Sequence, residues 1–507
     1  MNQSAVQRAD PSPADISRRL DRLPMCWPIW LIVGQLSFAF FLELYDLFMI
    51  GYISPGVVHS GILTATTRGL FGLTGVASFV AALFAGLSIG TLSSGYLADR
   101  LGRRRLFLAA VLWFGLFEAV MAAQRTALGL NAVHFIVGIG LGVEMVTIDT
   151  YIAEIVPAQV RGRAYAFNQT IGFAAVPVVA FLAWFLVPKT VFGLAGWRWV
   201  VLLGASGALA AFGVGLSLPE SPRWLAARGR LAEADRVVER LERRVARITG
   251  PLPGVADAAH SPPRNTSTGR FTDIWRGPFR SRTIMLVTFN IFQTVGFFGF
   301  ANWAPTLLIA RGMTIVHSLK YLSLIALAAP VGPLLGLLFA DRFERKHLIM
   351  LSAALVAALG LVFGDARSAV LVIVTGVGIT LCENILSFSY HTYQAEIYPT
   401  PIRAKAVSFV YAWSRISAMF SAFIIARVLR LAGVGGVFVL IAAAMAVVVG
   451  VIGIFGPRSL GVSVEGLAAD GAGPETDRTP PLAEHEGGRQ AQNGMVTPAV
   501  NRFEPYE

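Results

Sequence analysis

The sequence predicts an all-α membrane protein with twelve transmembrane helices in two pseudo-symmetric six-helix bundles. Three observations support this prediction: a low charge content, long apolar runs and an internal repeat. Of the 507 residues, 55% are hydrophobic and only 14% are charged, whereas soluble domains carry about 25% charged residues. The charges cluster between apolar stretches that are long enough to cross a bilayer as helices.

The apolar runs define the twelve predicted spans. The loops between them are alternately rich and poor in Arg and Lys, which places the basic loops and both termini in the cytoplasm. Loop orientation therefore accounts for the net charge of +12, and we expect no nucleic-acid partner. The predicted spans, numbered 1 to 12, are 27–53, 70–94, 106–124, 129–151, 164–187, 198–217, 283–308, 319–340, 347–363, 368–392, 404–428 and 434–456.

These spans divide the chain into five regions. Apolar residues at helical spacing predict a surface helix over 231–248, within the central loop, and the polar Gly/Pro-rich C-terminal tail is expected to be disordered. The first apolar run is too long for a cleaved signal, so we expect a multi-pass protein of the bacterial inner membrane. The regions are a cytoplasmic tail (1–25), a first bundle (26–218), a cytoplasmic loop (219–282), a second bundle (283–456) and a cytoplasmic tail (457–507).

Two loop motifs recur at one fixed offset. Asp99-Arg100-x-x-Arg103-Arg104 returns as Asp341-Arg342-x-x-Arg345-Lys346, and Tyr151-x-Ala153-Glu154 with Arg161 returns as Tyr393-x-Ala395-Glu396 with Arg403. A shared offset across two loops requires the intervening spans to match in length, which indicates duplication. Two parallel six-helix halves with a solute site between them, near the bilayer midplane, are a recurrent transporter architecture.

The repeated loops resemble those of the major facilitator superfamily. Gly95-x-Leu97-x-Asp99-Arg100-x-Gly102-Arg103-Arg104 is similar to its loop 2–3 motif, and Pro219-Glu220-Ser221-Pro222-Arg223 is similar to a motif of its sugar porters and related metabolite:proton symporters. The resemblance covers about residues 25–456. It implies transport of a small molecule by alternating access.

The motif charges are predicted to form a cytoplasmic gate. Arg and carboxylate groups at the inner helix ends are expected to pair across the two halves, and to separate when the inner mouth opens. Exposed pairs contribute only about 0–1 kcal/mol each, which suits a reversible gate. The predicted gate residues are Gly95, Asp99, Arg100, Gly102, Arg103, Arg104, Glu154, Arg161, Glu220, Arg223, Asp341, Arg345, Glu396 and Arg403.

Ionisable residues inside the spans are candidate proton-coupling groups, because each costs about 2.5–3.5 kcal/mol on insertion scales. In span 1, Glu43 and Asp46 are three residues apart and share a helix face. Glu43-x-Tyr45-Asp46 is similar to a motif of proton-coupled aromatic-acid symporters. Two close carboxyls in a low dielectric can capture and release a proton near neutral pH.

Span 4 adds His134, Glu144 and Asp149. His134 occupies the position where the family pattern has an Arg that partners the span-1 Asp. Since imidazole titrates in the working range, an Asp46–His134 couple is predicted. Glu144 is a candidate second proton site or polar-network residue.

The candidate substrate-binding residues come from spans 7, 10 and 11. Arg415 lies near the midplane and needs an anion, either Glu383 or the substrate. In span 7, Phe292 and Phe298 stand where sugar porters have a Gln and an Asn, which favours a small organic acid, aromatic acids included, over a hexose. The full candidate set is Gln293, Phe298, Asn302, Trp303, Glu383, Asn384 and Arg415.

Together these features predict proton-coupled symport of a small organic metabolite by a monomer in the lipid bilayer, with no cofactor, no metal and no enzymatic motif. Three alternatives remain open. A sugar:proton symporter or facilitator would fit the family. A proton-coupled efflux antiporter is disfavoured because span 5 lacks Gly-Pro-x-x-Gly-Gly. A transporter-like nutrient sensor would signal through the tail 457–507.

Overall fold

The computed structural model describes residues 12–64, 66–67, 69, 74–254, 270–339, 343–398 and 400–458. This part of the chain is almost entirely helical. The first bundle and the segment after it contain α1 (Pro13–Asp21), α2 (Trp27–His59), α3 (Gly75–Leu101), α4 (Arg103–Ala122), α5 (Ala127–Ile155), α6 (Arg161–Phe173), α7 (Ala175–Leu186), a short hairpin of β1 (Thr190–Val191) and β2 (Leu194–Ala195), α8 (Gly196–Gly215), α9 (Pro222–Ala227) and α10 (Leu231–Thr249).

The second bundle repeats this arrangement with more interrupted helices. Pro305 lies in the first turn of α12, and proline is tolerated at a helix start because its missing N–H has no intrahelical partner there. The helices are α11 (Gly277–Ala301), α12 (Ala304–Ala310), α13 (Ile315–Ala326), α14 (Val331–Phe339), α15 (Arg345–Asp365), α16 (Ala369–Glu396) and α17 (Thr400–Phe455).

The predicted twelve-span fold is confirmed. Eleven helical segments of the described residues are long and apolar enough to cross a membrane. The last of them contains two spans, because Gly433 interrupts α17 with a φ of 66°. Spans 5, 7 and 8 are each formed by two consecutive helices, α6–α7, α11–α12 and α13–α14. Of the predicted C-terminal tail, residues beyond 458 lie outside the described part, as does Asp341.

Among the described residues, four helix pairs make most of the contacts between the two halves: α2 with α12, α3 with α17, α6 with α14, and α7 with α13. A β-carbon at Gly51 of α2 would lie 2.9 Å from the Ala301 carbonyl oxygen, so only glycine permits this approach. Ser323 Oγ donates to the Ala180 carbonyl at 2.9 Å. These contacts hold the two halves close together.

The N-terminal tail contains a helix that the sequence analysis did not predict. Ser12 caps α1 and shares a capping box with Asp15, an arrangement that satisfies free backbone donors at a helix start. Arg19 of α1 forms ion pairs with Asp235 and, at 2.7 Å, with Glu242 of α10. The tail is therefore docked on α10, which occupies the position of the predicted surface helix.

Candidate functional site

The end of the molecule that carries the repeated motifs, called the motif face below, is organised around Arg103. Its guanidinium pairs with Glu154 at 2.8 Å and with Asp99 at 3.2 Å, and it donates to the Ala98 carbonyl at 2.9 Å. Since these groups lie on α3, α4 and α5, one side chain ties together the ends of three helices of the first bundle.

Glu220 fastens the segment after α8 to the start of α4. Its Oε1 accepts hydrogen bonds from the backbone N–H groups of Arg103 at 2.9 Å and Arg104 at 3.1 Å, which are free donors at a helix N-terminus. Gly102 is required beside it. Its φ is 92°, and a β-carbon there would lie 2.6 Å from Glu220 Oε2.

The second bundle reproduces three contacts of the motif face, with the Arg, Glu and Tyr side chains at the predicted offset. In both halves an Arg pairs with a Glu of a neighbouring helix, a second Arg donates to a backbone carbonyl five residues earlier, and a Tyr hydroxyl donates to a proline carbonyl. The matching contacts are Arg103–Glu154 and Arg345–Glu396 (3.1 Å), Arg161–Val156 (3.4 Å) and Arg403–Tyr398 (3.1 Å), and Tyr151–Pro219 and Tyr393–Pro457.

The predicted pairing across the halves differs from the structure. The ion pairs of Arg103 and Arg345 each join helices of a single bundle, because the Glu partner lies on the adjacent helix of the same half. The other predicted gate residues have local partners as well. Arg100 bonds Tyr96, Arg104 bonds the Leu216 carbonyl, and Arg223 pairs with Asp21 of α1. At Gly95, an added β-carbon would meet no atom within 4 Å.

Four carboxyl groups are buried in the first bundle: Glu43, Asp46, Glu118 and Glu144 are each at most 1% exposed. No hydrogen-bond donor among the described residues reaches any of their eight carboxyl oxygens. A buried carboxylate without a donor or cation is costly, so these groups require protons or charged partners. This property makes them candidates for proton transfer.

Glu43 and Asp46 face different partners, although they are three residues apart on α2. Glu43 lies within electrostatic range of Arg415 and Asp149, whereas Asp46 is within hydrogen-bonding reach of Glu118 on α4. Glu144 of α5 lies within electrostatic range of both. Sequence reasoning missed Glu118, but the rule that flagged Glu43, an ionisable residue inside an apolar span, applies to it equally.

The predicted Asp46–His134 couple is not formed. His134 is fully buried, its ring stacks on Phe79 with 4.1 Å between centroids, and Nδ1 lies 3.0 Å from the Phe79 carbonyl oxygen. In the described residues no hydrogen bond or ion pair joins His134 to Asp46. The partner of His134 is Phe79 of α3, whereas the partner of Asp46 is Glu118 of α4.

Arg415 lies between the two halves. It belongs to α17, and its Nη2 contacts Tyr411 Oη at 2.8 Å and Met145 Sδ of α5 at 2.7 Å. In the described residues Glu383 forms no ion pair with Arg415, and the carboxylates within electrostatic range of Arg415 are those of Glu43 and Asp149. In the part of the chain that the structure describes, neither comes within 4.0 Å to form an ion pair.

A separate cavity lies nearer the end opposite the motif face. Aromatic side chains from both halves line it together with Glu383 and Asn384. Glu383 Oε1 and Asn384 Oδ1 are buried and accept no hydrogen bond from the described residues. The cavity therefore combines an apolar lining with two polar groups able to bind a ligand, as small-molecule sites do.

The other predicted substrate residues lie outside that lining. Phe298 packs edge-on against Phe84 of α3, with 4.6 Å between ring centroids. Trp303 is buried, Gln293 is half-buried, and the fully buried Asn302 has no partner for its amide atoms among the described residues. These residues contribute to packing around the cavity and between the halves.

The duplicated bundle and its motif contacts define a multi-pass membrane transporter of the major facilitator superfamily, sugar-porter-like in type. Residues 35–470 match the model of the sugar (and other) transporter family, and the chain belongs to that family. Its relatives are transporters, and it is a transporter of small molecules rather than an enzyme.

Three known proteins illustrate the similarity. The chain is 32% identical to the putative metabolite transport protein YyaJ of Bacillus subtilis, over 84% of this chain and 92% of that protein. It is 26% identical to the niacin transporter NiaP of Acinetobacter baylyi, over 89% and 99% respectively. Among solved structures, a partially occluded inward open form of the xylose transporter XylE from E. coli has a TM-score of 0.68 and 20% identity, covering 86% of this chain and 99% of that chain.

Proposed function

We propose that this protein is a proton-coupled symporter of a small organic acid, with aromatic acids the favoured class. It works as a monomer by alternating access, and the motif face and both termini are cytoplasmic. The observation that carries the proposal is a buried arginine, Arg415, held between the halves within range of two carboxylates but paired directly with neither.

Arg415 is suited to bind a carboxylate. Its Nε is buried and makes no hydrogen bond in the described residues, so the guanidinium retains donor capacity for an anion. Arginine binds carboxylates through two parallel hydrogen bonds. The adjacent Tyr411 ring, 4.9 Å from the guanidinium carbon, adds an aromatic surface beside that position.

Competition for Arg415 would couple the proton to the substrate. When Glu43 carries a proton, its attraction for Arg415 is lost, and the substrate carboxylate takes its place. When Glu43 is ionised, it attracts the guanidinium and disfavours the substrate. Glu43 and Asp46 thus act as proton-coupling residues, and Glu144, within range of both, completes the acidic cluster.

The remaining features fit an aromatic acid better than a sugar. The lining of the separate cavity includes Phe48, Tyr52, Phe297 and Phe300, with few hydrogen-bonding groups. A relative at 26% identity is named as a niacin transporter, and niacin is an aromatic carboxylic acid. The likeness to the xylose transporter supports the fold alone.

The motif contacts would hold each bundle rigid while the two bundles rock against each other. The Arg103 and Arg345 ion pairs bind helix ends inside each half, so they need not break as the inner mouth opens. We assign the same role to Asp341, Arg161 and Arg403: each would hold helix ends of its own bundle together at the inner mouth.

The test is uptake into proteoliposomes with an imposed pH gradient. Nicotinate and benzoate should accumulate when the outside is acidic, and a protonophore should abolish accumulation. Xylose and glucose should not compete. Accumulation of a hexose, or of nicotinate without any proton gradient, would overturn the proposal. Counterflow in inverted vesicles identifies efflux, and deletion of 459–507 without loss of uptake excludes a sensor.

Arg415 itself is tested by substitution. Arg415→Gln should abolish nicotinate binding in a thermal-shift assay, and Arg415→Lys should weaken it at least tenfold, because an ammonium lacks the paired donors. Arg427→Gln is the matched control, since Arg427 is an exposed arginine on the same helix. Unchanged binding by Arg415→Gln would contradict the assigned substrate contact.

A further inference from the structure

The pair formed by Asp46 and Glu118 is an unusual arrangement of two acids. Asp46 lies on α2 and Glu118 on α4, and the two carboxyl groups are within hydrogen-bonding reach of each other. Asp46 is 1% exposed and Glu118 is 0% exposed. Neither receives a hydrogen bond from another group of the described residues.

Two ionised carboxylates cannot hold this position. Both would be acceptors only, and their charges would repel in a medium that does not screen them. One proton removes the conflict, because the protonated carboxyl donates to the ionised one, and a hydrogen bond to a charged acceptor is among the strong ones. The geometry therefore requires that at least one of the two carries a proton.

No cation among the described residues acts on this pair of carboxyls. The titratable groups that act on the pair are Tyr45 of α2 and Glu144 of α5, and neither is a cation. Tyr45 donates its hydroxyl proton to the Val200 carbonyl of α8 at 2.8 Å, so it is not available to the carboxyls. On α8, the missing side chain of Gly204 leaves room for the Glu118 carboxyl, since a β-carbon there would lie 2.4 Å from Glu118 Oε1.

We propose that Asp46 and Glu118 share a single proton, and that Glu118 is a proton-coupling residue of the transport cycle. This inference rests on the proposed proton coupling. It adds a carboxyl group on α4, so the proton is held by side chains of two helices of the first bundle. In this arrangement Glu43 interacts with Arg415, the proposed substrate-binding residue, while Asp46 and Glu118 hold a proton at a separate position.

Substituting an amide for one carboxyl distinguishes the effect of the shared proton from the effect of side-chain packing. In Glu118→Gln the amide N–H₂ donates permanently to Asp46, so the contact is kept but no proton is needed to make it. We expect substrate exchange across the membrane to persist, since exchange needs no net proton release, and accumulation driven by a pH gradient to fall at least tenfold. Asp46→Asn should behave in the same way, and Glu118→Asp should recover part of the accumulation.

The measured quantity is the number of protons entering per nicotinate, read with a pH-sensitive dye inside proteoliposomes. Asp365→Asn, which alters an exposed carboxyl at the end of α15, is the control for a general loss of one acid. If the wild-type protein moves no protons, the proposed function fails. If the wild type is coupled and Glu118→Gln is coupled equally, only the present inference fails. Loss of exchange together with accumulation in folded Glu118→Gln would indicate a structural role and would overturn it as well.

Sharing is tested separately by infrared spectroscopy of the purified protein. A protonated carboxyl has a carbonyl stretching band that shifts in D₂O. If one proton is shared, Asp46→Asn and Glu118→Gln should each remove the same band, and the double variant should remove no more than either single one. Two bands lost independently and additively would show two separate protonated acids, which contradicts the proposal.

Discussion

The two halves of this transporter are alike at the motif face and different in the membrane interior. At the motif face, Arg103–Glu154 matches Arg345–Glu396, and the backbone contacts of the neighbouring Arg and Tyr residues match as well. In the interior, the first half holds four buried carboxyls, whereas the second contributes Arg415 and Glu383. Duplication preserved the contacts that hold helix ends together, and the interior diverged into an acidic half and a half that carries the buried cation.

This difference indicates a division of work. Contacts that occur in both halves serve the rigid-body motion that both must perform. Contacts that occur in one half alone serve functions that need only one copy, which we assign to proton binding in the first half and carboxylate binding in the second. The predictions below test this division of work.

The largest effect is expected from the interior acids. Glu43→Gln should abolish gradient-driven accumulation of nicotinate, because a permanently neutral side chain no longer competes for Arg415. Glu383→Gln in the other half should change the apparent affinity by severalfold while the number of protons per substrate stays the same. Proton and substrate fluxes in proteoliposomes measure both. Uncoupling by Glu383→Gln would break the proposed division.

The next effect concerns Gly102, whose counterpart 242 residues later is Glu344. Gly102→Ala should lower the free energy of unfolding by about 2–4 kcal/mol, because its backbone conformation strains any other residue and the new methyl group displaces Glu220. Gly95→Ala is the control, since a β-carbon there meets nothing within 4 Å. Thermal unfolding in detergent measures both. Equal melting temperatures for the two variants would refute the role of the Gly102–Glu220 contact.

A smaller effect distinguishes the two matched ion pairs. Glu154→Gln should destabilise the protein by about 1–2 kcal/mol and Glu396→Gln by about half as much, because removing a partner costs more where the pair is less exposed. The Glu154 side chain is 18% exposed and that of Glu396 is 30% exposed. Chemical unfolding of the two variants provides the comparison. A larger loss for Glu396→Gln would mean that the second half carries the stronger pair.

The smallest effect is expected at α1, for which the described residues of the second half contain no counterpart. Burial by itself would raise the pKa of the Glu242 carboxyl, but hydrogen bonds from Arg19 and Arg22 outweigh it and hold the pKa below the usual value near 4.5. The stabilisation is therefore present above that value and is lost as the pH falls through the lowered pKa.

Arg19→Ala at pH 7 should reproduce the effect of acidification, releasing α1 by about 1–2 kcal/mol. Limited proteolysis or hydrogen exchange of residues 13–21 measures the release. Arg240→Ala is the control, because Arg240 is exposed and bonds only a backbone carbonyl of its own helix. Equal protection of α1 in both variants would show that the ion pairs do not dock the tail.

Much of the fold follows from the sequence, because apolar length and charge alternation are direct consequences of the bilayer. The repeat alone predicts which residues of the two halves make matching motif contacts. The α1 helix was missed because its signal is a cap of a few residues rather than a long pattern. The pairing of the interior charges was only partly predictable. Sequence gives the depth of Glu43 and Asp46 along α2, but not which other helix supplies the partner of each carboxyl.

The bend at Gly433 leaves the final two spans without a connecting loop. A single residue departs from helical geometry there, so the two arms are joined over a very short distance. Arg415 lies on the first arm, and Lys346 donates to the Gly456 carbonyl at the end of the second. Inserting a few flexible residues at Gly433 would let Arg415 move relative to the carboxyl groups of the first bundle. The distance between the substrate-binding arginine and the proton-binding acids would then no longer be fixed.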